Sequence, residues 1–140
     1  MIEYTPDVLR NRGIPVVLAV LDTNGEQSGT ETIYVRFTMN TLADIEERWG
    51  STLNWQVAVA EKPVTTTRAT LALALGYIGT AGEFELGRRM LTAQNSAYGA
   101  AIGGAWALAN GVDPFALAES LNAALAPDAT AEEILTPTQV

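Results

Sequence analysis

Thr32-Ile33-Tyr34-Val35-Arg36-Phe37-Thr38-Met39-Asn40-Thr41-Leu42-Ala43-Asp44-Ile45-Glu46-Glu47-Arg48-Trp49-Gly50 changes its apolar period part-way along. Over Thr32–Thr38 the period is two. Ile33, Val35 and Phe37 point one way, while Thr32, Tyr34 and Arg36 point the other, as in a half-buried strand. From Asn40 the period becomes helical, with Leu42, Ile45 and Trp49 on one face. Asn40 or Thr41 supplies the cap, Thr41–Asp44 has a capping-box-like spacing, and Gly50 ends the helix. A strand that gives way to a capped helix within one short segment predicts an α+β protein.

Working back towards the N-terminus, Ile14–Leu21 is apolar on both faces and should be covered on both. Pro15 has no N–H for a ladder and must sit at the beginning of this strand or on an edge. Asp22–Glu31 contains Asn24-Gly25 and Ser28-Gly29, which is turn chemistry. The two strands therefore read as an antiparallel hairpin with a long exposed loop. Before them, Thr5-Pro6-Asp7 has the cap, the N1 proline and the acidic first turn of a short helix that Gly13 stops.

Beyond Gly50 the chain reads as helices. Ser51 caps one that turns Leu53, Val57 and Ala60 inward and is closed by Pro63. The run Thr65–Thr67 starts the next, carrying Ala69, Leu71, Ala72, Leu75 and Ile78, with Gly76, Gly79 and Gly82 loosening its end. Glu83–Ala93 sets Phe84, Gly87 and Leu91 on one side and leaves Arg88 and Arg89 solvated. Ser96–Asn110 places Tyr98, Ile102 and Trp106 in one ridge, beside a smooth face made by Gly99 and Gly103. Asp113-Pro114 starts a further helix that Pro127 ends. A capping-box spacing at Thr130–Glu133 precedes Ile134-Leu135, and residues 136–140 read as a free tail. The expectation is one domain over 1–140, in which a short helix plus hairpin (1–39) packs on a helical part (40–135), because a two-stranded hairpin is marginal alone.

Composition narrows the function. There is no histidine and no cysteine among the 140 residues. Disulfides, the usual zinc sites, thiol nucleophiles and imidazole bases are thereby excluded. Sixteen acidic against eight basic residues give a net charge of -8, which repels a duplex or a bare anionic membrane. Neither nucleic acid nor membrane is an expected partner. Met1-Ile2-Glu3-Tyr4 lacks the pattern of a targeting segment. The longest apolar run, Ala97–Ala109, falls short of the ~18 residues that suggest a membrane span. Glu46 and Glu47 diverge by ~100° around their helix and do not converge on one proton. Asp22–Glu26 lacks the third ligand and the closing glutamate of a calcium loop. No cofactor is implied and no catalytic residue is assigned. Trp55 lies off the main face of its helix, either as a partner contact or packed against the hairpin.

The stretch Tyr34–Ser51, with its strand ending in Phe37, its small polar cap and its Leu42-Ala43-x-Ile45-Glu46-Glu47-x-Trp49-Gly50-Ser51 helix, resembles the tail assembly chaperones of long-tailed phages and the related proteins of gene transfer agents. Val64–Gly76 resembles their leucine- and alanine-rich third helix. The resemblance spans about residues 32–80, and the helices from Glu83 onward lie outside it. It implies a non-enzymatic protein of the infected host's cytoplasm that binds the tape measure protein before the tail tube polymerises. It also implies a homo-oligomer, and a longer frameshifted form of the same chain as a further partner. A client of that kind needs apolar surface on a charged body. Candidate contacts are Trp55, Leu71, Leu75 and Ile78, and, on the later helix, Tyr98, Ile102 and Trp106. The competing expectations are a structural tail protein (a tube, terminator or connector subunit) and an enzyme built on an Asp/Glu dyad or on a metal held by carboxylates.

Overall fold

The structure, a computed structural model, describes residues 4–125. Thr5 caps α1 (Pro6–Asn11) by accepting from the Val8 N–H, and Pro6 occupies the first turn. Gly13 follows at φ 113°, where a Cβ would lie 2.3 Å from the Val35 carbonyl oxygen. Only glycine admits that approach. It brings α1 directly into β1 (Ile14–Leu21).

β1 pairs antiparallel with β2 (Gln27–Val35), from Ile14 opposite Val35 to Val20 opposite Gly29, with an irregularity between Val20 and Leu21. The second strand thus begins five residues before the expected Thr32, and the loop shrinks to Asp22–Glu26. The Asp22 carboxylate accepts from the N–H groups of Asn24 (2.8 Å) and Glu26 (3.0 Å), and Gly25 takes φ 79°. Residues 27–32 are exposed on both faces. They carry no apolar alternation, and they are held by backbone pairing to β1 together with polar contacts of Ser28 and Glu31. β1 is the inner strand: Ile14, Val16, Leu18 and Ala19 are buried. Its second edge is closed as well. Tyr98 Oη donates to the Val17 carbonyl at 2.6 Å, Arg89 Nε donates to the Ala19 carbonyl at 2.9 Å, and Leu18 bridges to Met90. Arg89, expected to be solvated, also donates to Tyr77 Oη (2.7 Å) and pairs with Glu31 of β2. One guanidinium fastens both strands to the helices.

The chain leaves β2 at Val35, and Phe37 packs on the helices instead of continuing the ladder. Thr38 caps α2 (Met39–Trp49), accepting from the Thr41 N–H at 3.2 Å. The cap is therefore earlier than Asn40 or Thr41, and Thr41 is buried with its hydroxyl 3.1 Å from that of Thr38. Ile45 is buried, Leu42 and Trp49 are half-buried, and Gly50 closes the helix at φ 89°. Ser51 caps α3 (Thr52–Glu61) by accepting from Asn54 N–H.

α3 is rotated from expectation. Leu53 (67% exposed), Val57 and Ala60 face outward, and Trp55 (2% exposed) faces inward. Its indole N–H donates to Thr70 Oγ1 at 2.8 Å, and its ring meets Phe37 at 5.9 Å and Trp106 at 5.4 Å between centroids. Each aromatic pair adds ~0.5–1.5 kcal/mol, which sets the rotation of the helix.

Pro63 ends α3 only by starting α4 (Pro63–Leu75), where it takes the first turn. The threonines fall inside that helix. Thr66 Oγ1 donates to the Ala58 carbonyl at 3.1 Å and so ties α4 to α3, while Thr70 Oγ1, the acceptor of the Trp55 indole, donates to the Thr66 carbonyl at 2.7 Å within α4. Gly76 ends α4 at φ 85°. α5 (Gly79–Arg89) starts four residues before the expected Glu83 and buries Leu86. A Cβ on Gly82 would lie 2.9 Å from the Tyr77 carbonyl carbon, so that glycine lets α5 fold back against the end of α4.

A short 3-10 turn leads into α6 (Asn95–Ala109) and then α7 (Pro114–Leu125). Asn122 of α7 clamps Tyr4, its carboxamide oxygen accepting from the Tyr4 N–H (3.1 Å) and its nitrogen donating to the Tyr4 carbonyl (2.8 Å). The architecture is α+β, an N-terminal hairpin packed on helices. One continuous apolar cluster runs from Tyr4 and Leu9 through β1 to α4, α6 and α7. No helix among the described residues is long and apolar enough to cross a membrane. The expected helix end at Pro127, the Ile134-Leu135 turn and the free tail lie outside the described residues.

Candidate functional site

The contact residues expected from sequence do not form one surface. Trp55, Leu71, Tyr98 and Ile102 are each no more than 2% exposed and belong to the core. Leu75 and Trp106 are half-buried. Ile78, 87% exposed beyond the end of α4, lines a cavity between α2, α4 and the start of α5. The ridge Tyr98–Ile102–Trp106 faces the hairpin and α3 because those are the largest side chains α6 can bury. The neighbouring Gly99 and Gly103 face open space, where an added Cβ would meet nothing within 4 Å. The glycine of α6 that is packed is Gly104, whose Cβ would lie 3.1 Å from Ile14 Cδ1.

The surface that does converge lies elsewhere. Val64 and Arg68 of α4 form one wall of a groove, and Phe84, Gly87 and Arg88 of α5 form the other. Met90, Leu91, Thr92, Asn95 and Tyr98 close its end, and the enclosed volume is about 560 Å³. Val64 and Phe84 are both 64% exposed, so each wall presents a large apolar side chain to solvent. Phe84, Gly87 and Leu91 share one side in the sequence pattern. Leu86 takes the core position of α5, and that side is left as the groove face.

Gly87 fixes the depth of the groove. The Arg68 stem lies across it, with Cδ 3.1 Å from where a Cβ would stand. Arg68 Nε is buried and has no hydrogen-bond partner among the described residues. No carboxylate of the described residues lies within ion-pair distance of Arg68, whereas Arg88 pairs with Glu85 at 3.4 Å. Among the described residues no carboxylate lines the groove. Tyr98 forms part of the floor; its hydroxyl accepts from Leu91 N–H at 2.8 Å while donating to β1. Burial pushes the Tyr98 phenol above its ordinary value, against the opposing pull of the Leu91 hydrogen bond.

Two other cavities differ in character. One of about 400 Å³, between α2, α4 and the start of α5, already contains the Arg48–Glu83 ion pair. One of about 320 Å³ lies between α1 and the α6–α7 connection. Among the described residues no group of three or more carboxylates is placed to hold a metal ion. The α4–α5 groove has two exposed apolar side chains on its walls and two guanidinium groups in its lining. Such a lining can hold an apolar segment. Comparison with models of protein families, with curated proteins and with solved structures finds no match to this chain.

Proposed function

We propose that this chain is a non-enzymatic client-binding protein, a tail assembly chaperone of a long-tailed phage that holds the tape measure protein in the host cytoplasm during tail assembly. The observation that carries the reading is the groove of about 560 Å³ between α4 and α5, with Val64 and Phe84 exposed on its two walls. Exposed apolar side chains facing one another across a groove are the usual seat of an amphipathic helix. A tape measure protein is a long helical client whose apolar stripe would self-associate in water. The chain's net charge of -8 keeps such a complex dispersed. The resemblance of Tyr34–Ser51 to tail assembly chaperones supports the same class.

The test is quantitative mass spectrometry of purified phage particles. A chaperone leaves before the particle is complete, so the chain is expected in the infected-cell lysate and absent from particles. Stoichiometric abundance in the particle would replace this reading with that of a structural tail subunit.

A further inference from the structure

We propose that Arg68 makes the α4–α5 groove selective for a helical partner segment that carries a carboxylate one turn away from its apolar anchor. The inference rests on the groove being the client-binding site and adds the chemistry of what it takes. Val64 and Arg68 are four residues apart on α4, so an apolar contact and a cation follow one another along one wall at the spacing of a helical turn. A bound helix of matching period places a leucine against Val64 and Phe84 and a glutamate against Arg68.

The charge pattern favours this occupant. No acidic residue among those described lines the groove, and the two charged groups that do are arginines. Arg88 is turned to Glu85. Arg68 has no counter-ion among the described residues, and its Nε is buried without an acceptor. A buried N–H without an acceptor is costly, and a carboxylate entering from the groove side supplies the acceptor it lacks. Gly87 serves the same end, because a Cβ there would displace the Arg68 stem. The pocket between α2 and α4 contrasts with it: there Arg48 is already neutralised by Glu83.

The probe is a pair of capped amphipathic peptides with leucines at helical spacing, identical except that the residue four positions after each anchor leucine is Glu in one and Gln in the other. Binding to the full chain is followed by fluorescence anisotropy. The wild-type protein is expected to bind the Glu peptide about tenfold or more tighter than the Gln peptide. In Arg68→Gln that difference disappears, and in Phe84→Asp both peptides weaken. The Glu-to-Gln change is made on the peptide and cannot unfold the protein, so the comparison survives any loss of stability in the variants. Equal affinity of the wild type for the two peptides, a difference that persists in Arg68→Gln, or no binding of either peptide overturns the proposal. So does an about tenfold gain in Glu-peptide affinity on changing Glu132→Gln with Glu133→Gln, which would assign the groove to the chain's own acidic segment. If the peptides discriminate as expected but the chain is stoichiometric in particles, the chaperone reading alone fails. If the peptides bind alike while client capture depends on Phe84, only the carboxylate inference fails.

Discussion

Replacing Trp55 by Phe separates a core role for this residue from a contact role. The indole is 2% exposed and donates to Thr70 Oγ1 at 2.8 Å. Phenylalanine keeps a ring against Phe37 and Trp106 but removes the N–H, a net loss of about 1 kcal/mol. The missing second ring leaves a void worth about 1 kcal/mol more. The Thr70 hydroxyl still donates to the Thr66 carbonyl at 2.7 Å, so it is not orphaned. The expected destabilisation is about 2 kcal/mol, or a fall in Tm of about 8 °C for a chain of this size. Thr70→Val removes the acceptor instead and strands a buried indole N–H, costing about 1–3 kcal/mol. In the double variant the stranded donor is gone, so the two changes should couple by about 1–2 kcal/mol. Urea unfolding followed by circular dichroism measures all four corners of this cycle. Strict additivity would refute the hydrogen bond as the lock between α3 and α4. Unchanged stability in Trp55→Phe together with lost client capture would return Trp55 to the surface.

Arg89→Met removes the bonds to the Ala19 carbonyl and to Tyr77 together with the Glu31 pair; it should cost about 2 kcal/mol, with the exposed half of the ion pair adding little, and should speed amide exchange in β1, whereas unchanged exchange would deny Arg89 its place as the hairpin's fastening. Gly13→Ala forces a Cβ to 2.3 Å from the Val35 oxygen at φ 113°, so a loss of about 2 kcal/mol or more is expected in the same unfolding assay, and a neutral result would contradict that approach of α1 to β2. Tyr98 and Tyr4 both have phenols raised above the ordinary 10.0 by burial. Their folded pKa exceeds the unfolded one, so the stability they contribute is complete below pH 10 and is lost as pH rises through the folded values. Ultraviolet titration of the phenolates should show two of the four tyrosines ionising late, and a single common titration near the ordinary value would refute this.

Local chemistry was legible where one or two residues decide it. Thr5-Pro6, Ser51 and Gly50 act at helix ends through hydrogen bonds and positive φ within their own neighbourhoods, whereas the helix expected to carry Ile78 ends at Leu75, with Gly76 as its left-handed cap. The period change after Phe37 likewise marks the passage from strand to helix. What required the structure is non-local. Arg89 reads as a solvated terminal cation, because its acceptors Ala19 and Glu31 are 70 and 58 residues away. Residues 27–31 lack alternation, since an outer strand exposed on both faces has no inner side to mark. α3 offers two apolar faces, and only the position of Phe37 and Trp106 decides that Trp55 wins over Leu53 and Val57. The groove was half legible. Phe84, Gly87 and Leu91 share a side in the pattern, but whether that side meets the core or solvent depends on Leu86 being taken inward. The smooth face of Gly99 and Gly103 meets open space, because the packed glycine of α6 is Gly104.

The central claim, that the α4–α5 groove holds a helical client, is tested most directly by co-expressing the full chain with a tape measure protein from the same phage and measuring how much client stays soluble and co-purifies. Wild-type chain is expected to retain the client. Phe84→Asp, at a residue already 64% exposed, is expected to lose it while keeping its circular dichroism and unfolding midpoint. Equal capture by wild type and Phe84→Asp, or a client that stays soluble without either, would contradict the account.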